Sequence, residues 1–201
     1  MKILLIGAGG TIGQAVYQNL SRDCEVIGVG NTSGDYQIDL CSSESIHDMY
    51  QKFSDVDAVI CTAARGIVFK NLEAMDKADY IQSIQSKLLG QIDLVTQGTR
   101  YLKPDVSFTL TSGILNDEPI AKGSAAAMVN GGLAAFVYAA ALDMPAKQRI
   151  NIISPALLEA SKAQYAEILK GYQVVSGHQV AEAYRKSVFG IHNGQVIKVG
   201  Y

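Results

Sequence analysis

A glycine-rich run, Gly7-Ala8-Gly9-Gly10-Thr11-Ile12-Gly13, narrows the folds open to this chain more than any other stretch. It follows the apolar segment Ile3-Leu-Leu-Ile6 and leads into Ile12, Ala15, Val16 and Leu20, which are spaced for one face of a helix. A second apolar segment, Glu25-Val-Ile-Gly-Val29, comes next. Strand, glycine turn, helix and strand make a βαβ unit, whose strands run parallel with a right-handed crossover. The spacing is Gly-x-x-Gly-x-x-Gly through Gly7, Gly10 and Gly13, not the Gly-x-Gly-x-x-Gly fingerprint. Gly7 allows a tight turn, Gly10 a close approach of backbone to pyrophosphate, and Gly13 a helix packed against the strand. The amides around Thr11 and Ile12, with the helix dipole, then face the phosphates. The run predicts a dinucleotide site; its bland alternative is a tight turn without a ligand.

The remaining chain keeps alternating. Strands are predicted at 36–40, 56–61, 106–111, 149–153 and 195–199, with helices at 42–53, 77–102, 122–143, 157–169 and 177–189. The pattern predicts a doubly wound α/β parallel sheet of the Rossmann type, about seven strands in a single domain over residues 1–201. With 17 basic against 19 acidic residues the chain has no basic field for a nucleic-acid backbone. Three cysteines without Cys-x-x-Cys spacing, and three histidines far from them, argue against a disulfide framework and a metal site. The apolar run after Lys2 is too short for a signal-peptide core. Ser124 to Leu142 is almost free of charge, but Asn130, Gly131 and Gly132 interrupt it; it reads as a soluble helix buried on most sides. No membrane association and a cytoplasmic location are expected.

Past the second strand, where an acid would grip an adenosine ribose and an arginine would take a 2′-phosphate, the chain has Gly30-Asn31-Thr32-Ser33. The three polar residues can donate to a phosphate, which favours NADP over NAD; they are also ordinary turn residues. Asp39, with Leu40 beside it, is placed to reach the adenine edge, or to cap the following helix.

Together with Ile38-Asp39, Cys61-Thr-Ala-Ala64, Thr111-Ser112-Gly113, Arg149-Ile-Asn151, Ser154-Pro155 and Gly194-Gln-Val-Ile, the glycine turn resembles the short-chain dehydrogenase/reductase family along essentially the whole chain. The resemblance implies that Thr62, Ala63 and Ala64 line the adenine and ribose side of the cofactor. It implies that Pro155 touches the nicotinamide and that Ser112 orients a substrate carbonyl. It also implies an oxidoreductase moving a hydride between NADP(H) and a small carbonyl or alcohol.

The chain departs from that family at the chemistry. Members donate a proton from a tyrosine whose pKa is lowered by a lysine four residues later, and no tyrosine here has that partner. Aligned by Leu133, Ala141 and Asp143, the positions hold Ala126 and Asn130, and the family's relay asparagine falls at Lys87. Lys87, Ser112, Thr111 or a water near Asn130 are the candidate proton sources, or the fold has kept the cofactor and lost the reaction, as a non-catalytic sensor or regulatory module. A lysine made neutral by burial can donate; the plainer role is a stem along the core with its head in water. Ser112 ends a central parallel strand, where open α/β sheets place ligands, or is a strand-to-loop turn. Cys61 reads as a small buried thiol. The apolar 124–142 helix suggests a second subunit as its cover, in a homodimer or homotetramer.

Overall fold

The protein, described as a computed structural model over residues 1–165 and 170–201, alternates strands and helices. In chain order the elements are β1 (Lys2–Ile6), α1 (Thr11–Leu20), β2 (Glu25–Gly30), β3 (Tyr36–Gln37), α2 (Ser43–Lys52), β4 (Ala58–Cys61) and α3 (Lys77–Ser83). A π-helical turn (Ile84–Leu89) then leads into α4 (Gly90–Tyr101), β5 (Ser107–Thr111), α5 (Ser124–Asp143) and β6 (Arg149–Pro155). The chain continues through β7 (Leu157–Leu158), α6 (Lys162–Tyr165), β8 (Val174–Val175), α7 (Gly177–Phe189) and β9 (Gln195–Val199).

Seven strands form one sheet in the order β3-β2-β1-β4-β5-β6-β9, with every pairing parallel. β1 reads as a continuous apolar run because both of its faces are covered. Leu4 and Ile6 join Val59, Phe108 and Ile150 against Met49 of α2, Leu94 of α4 and Leu133 of α5. Ile3 and Leu5 join Ile60 and Ile153 against Val16 and Leu20 of α1 and Val180 and Tyr184 of α7. The doubly wound architecture expected from the alternation is the one observed.

Several expectations are corrected. The third strand stops at Gln37, because the Asp39 carboxylate accepts from the Cys41 amide and turns the chain toward α2. The segment expected to be helical over 157–169 begins with Leu157 and Leu158, which pair in parallel with Val174 and Val175 as a separate two-stranded sheet. A 3-10 turn (Glu159–Ser161) and α6 come next; positions 166–169 lie outside the described residues. The long helix expected over 77–102 is observed as a continuous run over 77–101, with the π turn inside it between α3 and α4. Finally, α5 is not buried on most sides. It lays Ala125, Ala126, Val129, Asn130, Leu133, Ala134 and Val137 on the protein and leaves Met128, Tyr138 and Leu142 exposed, since one sheet face covers only one stripe of a helix. By length and composition alone α5 could cross a membrane.

Candidate functional site

Strand order reverses between β1 and β4, and the crevice above the carboxyl ends of strands at such a point is where open α/β sheets bind ligands. The residues singled out in the sequence converge on that edge. The glycine turn follows β1, Asn31–Ser33 follows β2, Asp39 and Leu40 follow β3, Thr62–Ala64 follows β4, Ser112 follows β5, and Pro155 ends β6.

The glycine turn is built by close approach. Gly7 has a left-handed backbone (φ 86°), and a Cβ on Gly13 would sit 2.1 Å from the Gly7 carbonyl oxygen. The Thr62 hydroxyl lies 3.1 Å from both the Ile6 and Gly7 carbonyl oxygens, fastening the end of β4 to the turn. Gly10 caps α1, and no side chain accepts from the first-turn amides; the first turn also holds no acidic residue. By contrast Ser42, Asp76 and Ser176 cap α2, α3 and α7 with their side chains. The amides of Thr11, Ile12 and Gly13 are therefore left to an anion, so the turn fits a dinucleotide pyrophosphate.

In the loop after β2, Asn31, Thr32 and Ser33 are exposed. The Asn31 amide donates to the Ile38 carbonyl at 3.3 Å, which holds the loop above β2. An acid lies just beyond the segment read from the sequence: the Asp35 carboxylate accepts from the Gly28 amide at 2.8 Å. That contact ties the loop down. Asp39 serves the turn into α2, whose cap is Ser42, while Leu40 is half-buried. Ala63 is half-buried, Ala64 exposed, and Pro155 buried beside Val199.

Beyond Thr111 the end of β5 is held by side chains of the helix opposite. Gln91 accepts from the Thr111 amide at 2.9 Å and donates to the Thr111 carbonyl at 3.1 Å, supplying the ladder contacts that β4 no longer reaches. Four residues earlier, inside the π turn, the Lys87 ammonium donates to the Ser112 carbonyl at 2.9 Å and to Asn130 Oδ1 at 2.7 Å. Asn130 in turn donates to the Gly113 carbonyl at 3.1 Å. Ser83, Lys87 and Gln91 thus form one inward line, and π turns recur where a helix is reshaped for a site.

Lys87 is only 5% exposed, and burial lowers its pKa from 10.5 to about 8. The opposing influence, from the Cys61 thiol, is the smaller one. Cys61 is itself buried, which pushes its thiol up to about 12 and keeps it neutral. The plainer expectation for Lys87, a head group in water, is corrected. The Ser112 hydroxyl makes a long 3.4 Å contact to the Ile153 carbonyl. Ala126, one turn before Asn130, is buried and has no proton to give.

Sequence reasoning brings Lys87, Ser112 and Asn130 forward but misses Gln91, whose spacing four residues after Lys87 is the available signal. It also misses the buried hydroxyl link in which Thr111 contacts both the Cys61 carbonyl and the Tyr184 hydroxyl. Among the described residues no cluster suited to a metal ion is found.

Residues 3–119 match the NAD dependent epimerase/dehydratase family. A short-chain dehydrogenase/reductase, ucsE of an Acremonium species, is 30% identical over 102 residues, which is 50% of this chain and 38% of that protein; the chain spans well under half of that relative's length. The structure of the protein lin1944 from Listeria innocua superposes with a TM-score of 0.95 at 42% identity, covering 99% of both chains. A small-chain dehydrogenase in complex with NADPH superposes at 0.86 with 23% identity, covering 99% of this chain and 96% of that one. Parallel sheet, glycine turn, switch-point crevice and these matches agree: the chain belongs to the NAD dependent epimerase/dehydratase family, within the short-chain dehydrogenases/reductases.

Proposed function

We propose that the protein is an NADP(H)-dependent oxidoreductase acting on a small carbonyl or alcohol. The observation that carries this reading is the buried group of Lys87, Ser112 and Asn130 at the end of β5, on the same carboxyl edge of the sheet as a glycine turn whose helix amides lack a side-chain cap. A buried ammonium without a carboxylate is costly to fold around, and such groups cluster at functional sites. Bound NADPH would supply the hydride. Thr11, Ile12 and Gly13 would hold its pyrophosphate with their amides, and Thr62–Ala64 and Pro155 would border it. Asn31, Thr32 and Ser33 would donate to the 2′-phosphate. The Ser112 hydroxyl, turning from its long contact with Ile153, would orient the carbonyl oxygen. The structural neighbour in complex with NADPH supports a nicotinamide dinucleotide, and the polar loop Asn31–Ser33 is what favours NADP(H).

Ala126, at the position where the family resemblance places a proton donor, favours a second reading, a dinucleotide-binding sensor without turnover. A panel of small aldehydes and ketones, followed through NADPH absorbance, separates the two. Turnover that Ser112→Ala reduces by about a hundredfold or more supports the enzyme; nucleotide binding with no turnover on any carbonyl supports the sensor.

We also propose a homodimer. Met128, Tyr138 and Leu142 on α5, with Ile81 and Leu89 on the neighbouring helical segment, leave apolar side chains in water. A second copy of the chain would cover them.

A further inference from the structure

The oxidoreductase reading, on which this inference rests, needs a proton source, and the environment of Lys87 supplies one. An ammonium has three N–H donors. In Lys87 two are engaged, by the Ser112 carbonyl and by Asn130 Oδ1, and the third has no acceptor among the described residues. Both acceptors are neutral oxygens, so among the described residues the charge has no counter-ion. Cys61 from β4 is the titratable group that bears on it, and its thiol stays neutral. From α5 the facing polar side chain is the amide of Asn130, and just past β5 the facing group is the Ser112 backbone carbonyl. The helical segment contributes Ser83 and Gln91, neither of them charged.

The geometry points to the Lys87 ammonium as the proton donor to the substrate oxygen during carbonyl reduction, held in place by Asn130. The hydride joins the carbonyl carbon, the C=O π pair moves to oxygen, and the oxygen takes a proton from Lys87 Nζ. One N–H bond of Lys87 breaks and one O–H bond forms on the substrate, the hydride being what bound NADPH would supply on becoming NADP+, and neutral Lys87 recovers its proton from water. The developing alkoxide is the counter-charge that the folded protein otherwise withholds from Lys87. Asn130 is a positioning residue: its carboxamide oxygen fixes the ammonium, and its own amide is fixed by the Gly113 carbonyl.

The amine's position on the pH scale gives this role a signature. Reduction needs the charged lysine, so its rate is flat at neutral pH and falls above about 8; oxidation of the alcohol needs the neutral amine and rises toward about 8.

The test uses the full chain and three readouts. The first is the pH dependence of wild-type reduction with NADPH. The second is turnover and NADPH affinity of Lys87→Arg and Lys87→Ala, with methylamine added to the latter. The third is 13Cε titration of Lys87 by NMR in the nucleotide-free protein, which does not depend on activity. Both variants are expected to bind NADPH within a few-fold of wild type and to lose turnover by roughly a hundredfold or more, since arginine keeps its proton. Methylamine is expected to restore part of the loss in Lys87→Ala, and the NMR titration to centre well below that of an exposed lysine. Wild-type turnover with Lys87→Arg equally active and an unchanged pH profile overturns this assignment and leaves the oxidoreductase reading standing. A normal lysine titration near 10.5 also overturns it. Absence of any wild-type turnover overturns the oxidoreductase reading itself, and the assignment with it.

Discussion

Lys87 Nζ lies 2.7 Å from Asn130 Oδ1, so a buried amine is fixed by an amide and not by a carboxylate. Folding therefore has to desolvate a charge that its partners only partly compensate. A base whose pKa is depressed in the folded state weakens the fold wherever it stays protonated. Below about pH 8 Lys87 is charged in both states and the full cost is present. Between about 8 and 10.5 the unfolded chain holds more protons than the folded one, so stability attributable to Lys87 rises with pH across that window. The drop from 10.5 to about 8 corresponds to roughly 3 kcal/mol.

Lys87→Met, a side chain of similar length without the charge, is accordingly expected to stabilise the protein at pH 7 by about 1–3 kcal/mol. Urea denaturation at pH 7 and pH 10 reads this, with the gain shrinking at the higher pH. A loss of stability at pH 7 would show that the two hydrogen bonds of the ammonium outweigh its desolvation.

Two glycines of the same turn are expected to respond in opposite ways. A Cβ on Gly13 would meet the Gly7 carbonyl at 2.1 Å, so Gly13→Ala should destabilise by about 1–3 kcal/mol or more as the turn is forced open. Gly10 is the N-cap of α1 with extended backbone and open surroundings, its nearest Cβ contact being 3.4 Å. Aspartate suits an N-cap, so Gly10→Asp should leave stability unchanged or raise it by a few tenths of a kcal/mol. Its carboxylate would occupy the amides that face the pyrophosphate. Thermal melts with and without NADPH distinguish these outcomes; loss of stability in Gly10→Asp would contradict the open geometry.

Nucleotide preference is expected to reside in the loop after β2. A Thr32→Ala/Ser33→Ala double variant should weaken NADPH binding by roughly tenfold, about the strength of one hydrogen bond to a charged group, and leave NADH nearly untouched. Equal losses for both nucleotides would place the loop against the shared adenosine instead.

The exposed apolar side chains of α5 predict an assembly. Tyr138→Glu/Leu142→Glu should convert a dimer into a monomer by light scattering without altering the helical circular dichroism, since both side chains are exposed, Leu142 at 87%. A wild-type monomer at micromolar concentration would contradict the proposed dimer.

The sheet is legible in the sequence because β1 and β4 are short, doubly buried apolar runs and the helices between strands fix their parallel direction. The glycine turn is legible because steric demands at Gly7 and Gly13 leave no other residue suitable. What stays hidden is long-range. Nothing near Lys87 in sequence announces that the Ser112 carbonyl and Asn130, 25 and 43 residues away, will engage its ammonium. The π turn gives no periodic signal, because one widened turn scarcely disturbs the apolar spacing of a long helix. Leu157 and Leu158 read as helix because a two-residue strand is too short to show alternation, and its partners Val174 and Val175 lie beyond a polar stretch.

Fluorescence titration of wild type and Gly10→Asp with NADPH is the most direct test of the central claim, that the glycine turn and the end of β5 form a nicotinamide-dinucleotide site. Saturable binding by wild type that Gly10→Asp abolishes, at unchanged melting temperature, is the result predicted. Absence of binding by wild type, or equal binding by both proteins, would contradict it.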